Sequence, residues 1–107
     1  MRRPLVEILY FDGCPNHKAA RALVEHVAAE LGVAPELRSI RVPDAEAAVA
    51  RRFVGSPTVR VDGRDVEPRA DDRSDFVLAC RVYRTARGVS GRPDPAWIRS
   101  ALVEAAA

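Results

Sequence analysis

One cysteine lies at the junction of two different sequence patterns, and this junction constrains the fold more than any other feature. The run from Leu5 to Tyr10 is almost continuously apolar, which predicts a strand covered on both faces. After Cys14, apolar residues recur at every fourth position, namely Ala19, Leu23, Val27 and Leu31. This pattern predicts a helix from about Pro15 that ends before Gly32. Cys14 is therefore expected at a helix start, where free N–H groups and the positive helix end favour a thiolate.

The rest of the chain continues as a series of short strands and helices. The elements predicted after the first helix are a strand over 35–42 near a sheet edge, a helix from 45 to about 53, and strands over 58–61 and 64–66. Asp44 is a good helix N-cap, and Asp62-Gly63 is a two-residue hairpin signal. Asp94-Pro95 opens a last helix. Its predicted inner face contains Trp97, Ile98, Ala101, Leu102 and Ala105.

This order of elements, βαβαββα, predicts one α/β domain over residues 1–107 with a mixed sheet. The first two strands are expected to be parallel, with a right-handed crossover between them, and the hairpin adds antiparallel strands. Residues 67–93 show no clear periodicity, and they are predicted to form an irregular insertion before the last helix. This insertion contains one apolar island over 76–83, and the second cysteine, Cys80, lies in it.

Composition excludes several classes of protein. The 107 residues have a net charge of +2, with 48% hydrophobic and 30% charged residues, which is typical of a soluble globular domain. No basic stripe is present, so nucleic-acid binding is not expected. No apolar run reaches the roughly 18 residues of a membrane span, and no signal-peptide pattern opens the chain, so we expect a cytoplasmic protein. Two cysteines in a reducing compartment indicate redox or metal chemistry more than a permanent disulfide.

Two short motifs, in this order of elements, resemble the thioredoxin-like superfamily. One is Asp12-Gly13-Cys14-Pro15, and the other is Ser56-Pro57-Thr58 before the third strand. The resemblance covers roughly residues 5–66 and the last helix. It is nearest to small thioredoxin-like proteins with an Asp-Gly-Cys-Pro opening, some of which carry selenocysteine at this cysteine position and some of which are associated with organomercurial handling. The resemblance implies a thioredoxin-like fold, a cis Ser56–Pro57 bond facing Cys14, and thiol–disulfide oxidoreductase activity.

The chain departs from the thioredoxin pattern at His17, where thioredoxin has its second cysteine. A dithiol enzyme uses that cysteine to resolve a mixed disulfide, so either Cys80 or an outside thiol must do so here. An antiparallel third strand would bring Pro57 to the same sheet end as Cys14, and the segment holding Cys80 departs from that end. Two interpretations of Cys80 are open: it pairs with Cys14, or it is a buried apolar residue. His17 is either a proton-exchange partner of the Cys14 sulfur or a solvated first-turn side chain.

Three functions are compatible with these residues. The first is a thiol–disulfide oxidoreductase that acts on a protein or small-molecule thiol or disulfide, with site residues Cys14, Cys80, His17 and Pro57. The second is a soft-metal protein in which Cys14, His17 and Cys80 bind mercury, copper or zinc. The third is a thioredoxin-fold binding module without redox activity. Whether the chain is an enzyme stays open, no cofactor is predicted, and the sequence assigns no oligomeric state.

Overall fold

A four-stranded mixed sheet carries three helices in the computed structural model, which describes residues 3–107. The strands of the sheet are β1 (Leu5–Tyr10), β2 (Glu36–Arg41), β3 (Thr58–Val61) and β4 (Arg64–Asp65), in the order β2-β1-β3-β4. The helices are α1 (His17–Leu31), α2 (Ala45–Ala50) and α3 (Pro95–Ala106). A separate hairpin, β5 (Tyr83–Thr85) and β6 (Gly88–Ser90), precedes α3, and a single 3-10 turn covers Ala70–Asp72.

The register of β1 sets the relative positions of the loops at its end. β1 pairs in parallel with β2, from Leu5 opposite Glu36 onward, and β2 is an edge strand as predicted. β1 also pairs with β3 in antiparallel fashion, with Leu9 opposite Thr58. The parallel pairing of the first two strands and the antiparallel β3–β4 hairpin expected from the sequence are therefore confirmed. The chain leaves β1 at the end of the sheet where it enters β3.

β1 is covered on both faces, as its near-continuous apolarity predicts, but the face with Leu5 and Glu7 is fully buried only at Leu9. Val6 and Ile8 belong to a cluster with α1 and α3, while Leu9 packs on the other face against Ala48 and Phe53. The first cluster contains Val6, Ile8, Ala20, Val24, Val27, Ala28, Val59, Val61, Val66, Ile98 and Leu102. Trp97, Ala101 and Ala105 pack against it from the predicted inner face of α3.

The buried stripe of α1 is rotated from the predicted one. The buried residues are Ala20, Val24, Val27 and Ala28, whereas Leu23 and Leu31 are only partly buried. A strict four-residue repeat drifts around a helix of 3.6 residues per turn. The buried residues are spaced by four, three and one positions, and such spacings keep them on one face of the helix, towards the sheet.

Two helix boundaries and the insertion before the last helix differ from the sequence predictions. α1 begins at His17 rather than Pro15. α2 ends at Ala50 rather than near residue 53, because Arg52 adopts a left-handed conformation with φ of 55°. The insertion over 67–93 is not wholly irregular, since it contains the β5–β6 hairpin. Its strands have only three residues each, too few to give a detectable alternation, and β6 begins at Gly88, which has φ of 110°. Within residues 3–107, no helix is long and apolar enough to cross a membrane.

Candidate functional site

Cys14 lies in the turn between β1 and α1. Gly13 takes the left-handed conformation that the turn requires, with φ of 89°, and the Cys14 N–H donates to the Phe11 carbonyl oxygen at 3.2 Å. Cys14 is only 6% exposed. Asn16 is the N-cap of α1 and His17 is its first residue, so Cys14 lies three residues before the helix, and the expectation that the helix begins at about Pro15 is wrong.

The start of α1 has no side-chain cap. Asn16 makes no cap hydrogen bond, and its side chain lies against Gly91, where an added Cβ would come within 2.3 Å of the Asn16 Nδ2 atom. The loop between β6 and α3 therefore packs on the helix start. First-turn N–H groups have no intrahelical partner, so the positive end of α1 remains available to an acceptor on the Cys14 side.

His17 is held by an aromatic contact that the sequence did not indicate. Its ring stacks on Tyr10, with centroids 4.1 Å apart and planes 7° from parallel. The side chain is half-buried, so it is not simply a solvated first-turn residue. Because the helix begins at His17, Cys14 lies outside it and the two residues do not share a helix face. Asp12, in the same turn, accepts from Arg41 Nε at 2.7 Å.

The loop before β3 lies at the same end of the sheet as Cys14. The Ser56–Pro57 bond is cis, as expected, and the Leu9–Thr58 pairing puts Pro57 next to the end of β1. The Thr58 hydroxyl donates to the buried Gly55 carbonyl oxygen at 2.6 Å. This bond stabilises the entry into β3.

Cys80 lies beside this loop because its segment pairs with it. Ser56 and Cys80 form a parallel β-bridge. The Ser56 N–H donates to the Ala79 carbonyl oxygen, and the Arg81 N–H donates to the Ser56 carbonyl oxygen, both at 2.8 Å. Cys80 is exposed, so its interpretation as a buried apolar residue is wrong. Cys14 and Cys80 are both free thiols.

Arg81, next to Cys80, is the centre of a buried ionic cluster. Its guanidinium donates to both carboxylate oxygens of Asp65 at 2.7 and 3.0 Å, to Glu67 Oε1 at 2.7 Å and to Thr58 Oγ1 at 3.1 Å. It also lies over the Tyr83 ring, 4.4 Å from the centroid. Burial works to lower the pKa of Arg81, but the hydrogen bonds with Asp65 and Glu67 outweigh it, and the pKa is raised. Arg81 therefore remains charged inside the protein.

Tyr83 connects this cluster to the proline loop. Its hydroxyl donates to the Pro57 carbonyl oxygen, and its ring packs at an angle against Trp97. Burial raises the pKa of Tyr83 above its ordinary value. Sequence reasoning gave Arg81 and Tyr83 no definite role. The only available signal was an arginine inside an apolar island, which needs a carboxylate partner when buried.

The proposed metal ligands do not form a cluster. Among residues 3–107, no group of three or more His, Cys, Asp or Glu side chains could hold a metal ion, and Cys14, His17 and Cys80 are therefore not such a group. Two surface cavities, of about 530 and 290 Å³, lie elsewhere, between β4 and α3 and beside the β5–β6 hairpin. Neither is lined by a cysteine.

Comparison with known proteins provides no family for this chain. No protein-family model matches it, and no curated protein matches it significantly. The geometry of the chain's own residues therefore carries the functional argument.

Proposed function

We propose that this chain is a thioredoxin-like protein that performs thiol–disulfide exchange. Cys14 is the attacking thiolate, and Cys80 or an outside thiol resolves the mixed disulfide. The observation that carries the proposal is the position of both cysteines at one end of the sheet. The β1–β3 register brings Pro57 to the Cys14 end, and the Ser56–Cys80 bridge brings the second thiol to the same loop.

The surroundings of Cys14 support its role as the nucleophile. It precedes the start of α1, where Asn16 provides no side-chain cap. First-turn N–H groups at this helix end can donate to an acceptor beside Cys14. The chain order β1-α1-β2-α2-β3-β4, followed by the β5–β6 hairpin and then α3, also supports the thioredoxin-like assignment, as does the Ser56-Pro57-Thr58 motif that leads into β3.

The exchange proceeds in two steps. The Cys14 thiolate attacks one sulfur of the substrate disulfide, so the Cys14–substrate S–S bond forms, the substrate S–S bond breaks, and one substrate thiolate leaves. The Cys80 thiolate then attacks the Cys14 sulfur, and the second substrate thiolate leaves. The substrate disulfide is reduced to two thiols, and the protein is oxidised to a Cys14–Cys80 disulfide. A dithiol reductant returns the protein to its starting state, and solvent supplies the protons.

Mild oxidation tests this proposal directly. The protein is treated with oxidised glutathione, its remaining thiols are alkylated, and its peptides are mapped by mass spectrometry. We expect an intramolecular Cys14–Cys80 disulfide in the parent chain. Cys14→Ser and Cys80→Ser are matched variants that each keep one thiol, and we expect both to stop at the mixed disulfide with glutathione.

Turnover provides the second readout. With dithiothreitol as reductant and hydroxyethyl disulfide as substrate, we expect the parent chain to exceed the rate given by free cysteine, and Cys14→Ser to fall to that rate. The proposal is wrong if Cys14 and Cys80 stay independently alkylatable after oxidation and the parent shows no rate above free cysteine.

A further inference from the structure

The segment that follows Cys80 alternates strictly between exposed and buried residues. Cys80, Val82 and Arg84 are exposed, whereas Arg81 and Tyr83 between them are buried. Successive side chains of an extended segment point to opposite sides. Cys80, Val82 and Arg84 therefore share one outward side of the chain.

Val89 extends this surface across the hairpin. It lies directly opposite Arg84 in the β5–β6 pairing, and directly opposite residues share a face of a two-stranded ribbon. Val89 is 71% exposed and Val82 is 60% exposed. We call the exposed set Cys80, Val82, Arg84 and Val89 the outer row. It combines a thiol, two apolar side chains and a cation.

The charged side chains of the segment that carries the outer row are all basic. Residues 76–93 contain four arginines and no Asp or Glu. Arg81 is neutralised by its buried carboxylates, but Arg84, Arg87 and Arg92 are exposed and make no ion pair among residues 3–107. Two carboxylates border this range. Asp75 pairs with Arg73, and Asp94 accepts from the Ala96 N–H at 2.9 Å and from the Ala86 N–H of the hairpin turn at 3.4 Å. This surface therefore favours an anionic partner.

The buried residues hold the outer row in place. Arg81 is tied to Asp65 and Glu67, and Tyr83 to Pro57, while the main chain on both sides of Cys80 pairs with Ser56. The exposed side chains between these anchors project from a fixed backbone. A surface that is ordered before binding loses less entropy when a partner docks.

We propose that the outer row docks an extended, acidic polypeptide segment that carries the disulfide-bonded cysteine of the substrate. The inference rests on the proposed function and specifies its substrate class. At about 3.3 Å per residue, the main-chain positions of Cys80 and Arg84 are four steps apart along an extended segment. In the proposed exchange, Cys80 attacks the Cys14–substrate disulfide, so the substrate cysteine lies beside Cys80 at that step. A partner in register with the outer row then has an apolar residue two positions from its cysteine and a carboxylate four positions from it.

The variant Cys14→Ser isolates docking from turnover. The chain has two cysteines, so this variant leaves the exposed Cys80 as its single thiol. The Cys80 thiolate attacks the peptide sulfur of a peptide–thionitrobenzoate mixed disulfide. A Cys80–peptide disulfide forms, the original S–S bond breaks, and coloured thionitrobenzoate leaves as the thiolate. The rate of colour release therefore reports how well each peptide docks.

The probes are three peptides: Cys-Ser-Val-Ser-Glu, its Lys counterpart Cys-Ser-Val-Ser-Lys, and the polar Cys-Ser-Ser-Ser-Glu. Each is made in both chain directions. At low salt, we expect the Glu peptide to react roughly tenfold faster than the Lys peptide in at least one direction. The ratio of the Glu-peptide rate to the Lys-peptide rate should fall towards one as added salt screens the arginine charges. The Ser-containing peptide should be slower than its Val counterpart.

Two variants on the Cys14→Ser background assign the effect to the outer row. Arg84→Glu should reverse the preference between the Glu and Lys peptides, and Val82→Ser should remove the preference for Val. Arg38→Glu is the matched control, because it makes the same charge change on the exposed edge strand β2, where Arg38 forms only a surface ion pair with Glu36.

Equal rates for all peptides in both directions would overturn the docking proposal. It would also be overturned if Arg38→Glu changed the selectivity as much as Arg84→Glu, since net charge alone would then explain the effect. These outcomes are separate from failure of the proposed function. That failure appears in the parent chain as Cys14 and Cys80 that stay independently alkylatable after oxidation, together with no rate above free cysteine, whatever the peptide selectivity of the Cys14→Ser variant.

Discussion

The hydroxyl of Tyr83 donates a hydrogen bond to the main-chain carbonyl oxygen of Pro57. Both residues are buried, and the bond joins the segment that holds Cys80 to the loop that precedes β3. We expect Tyr83→Phe to lower the free energy of unfolding by about 1–3 kcal/mol, because a buried carbonyl loses its donor. Urea unfolding measures this loss. Tyr10→Phe is the control, since Tyr10 contacts His17 through its ring and we expect little change.

Alkaline pH provides an independent check on Tyr83. Burial raises its pKa above the ordinary value of 10.0. The folded protein therefore keeps a proton that the unfolded chain releases. The contribution of the protonated Tyr83 to the free energy of unfolding is complete below the pKa that Tyr83 has in the unfolded chain. It is lost progressively as the pH rises above that value. Above pH 10, we expect the parent to lose stability more steeply than Tyr83→Phe. Parallel curves would contradict the burial of this hydroxyl.

Arg81 should be far more sensitive to substitution than a surface arginine. Arg81→Met leaves the buried Asp65 carboxylate and the partly buried Glu67 carboxylate without their cation, and removing one partner of a buried pair costs about 3–5 kcal/mol. Arg99→Met is the comparison, since its ion pair with Glu30 is roughly half exposed and such pairs contribute about 0–1 kcal/mol. Similar urea midpoints for the two variants would show that the Arg81 cluster does not stabilise the fold.

Gly55 and Gly63 form a matched pair for a test of close packing. Both have positive φ, of 121° and 84°. A Cβ at Gly63 meets no atom within 4 Å, whereas one at Gly55 lies 2.8 Å from the Arg81 Cβ. We expect Gly63→Ala to cost about 1–2 kcal/mol for its backbone conformation. Gly55→Ala should cost a further 1–3 kcal/mol, roughly, for overpacking. Equal melting temperatures would contradict this contact.

The two thiols should differ in their response to reagent size. Cys80 is exposed and Cys14 is 6% exposed. A polyethylene-glycol maleimide should therefore label Cys80 alone in the native protein and both thiols in urea. Iodoacetamide, a smaller reagent, should give Cys14 a larger share of the modification. The variants Cys14→Ser and Cys80→Ser identify each product. Rapid native labelling of Cys14 by the bulky reagent would show that its surroundings open readily.

Local patterns in the sequence determined most of the secondary structure. β1, β3 and α3 follow apolar runs and turn residues that are adjacent along the chain, because burial of a strand or helix face needs only local periodicity. Asp94 caps α3 as predicted, and Asp62-Gly63 turns between β3 and β4 with both residues at positive φ. The position of Cys14 between β1 and α1 could also be predicted in this way, to within two residues of the helix start.

The tertiary structure alone decided what surrounds the two cysteines. The exposure of Cys80 depends on its pairing with Ser56, and the burial of Arg81 depends on carboxylates from another part of the chain. The Tyr83–Pro57 hydrogen bond joins residues that are equally remote in sequence. No periodicity encodes such contacts, because an arginine or tyrosine in an apolar island has the same local pattern whether its partner is protein or water. The partners of Arg81 and Tyr83 are determined only by the packing of the whole chain, because a buried polar group needs a hydrogen-bond partner within the fold.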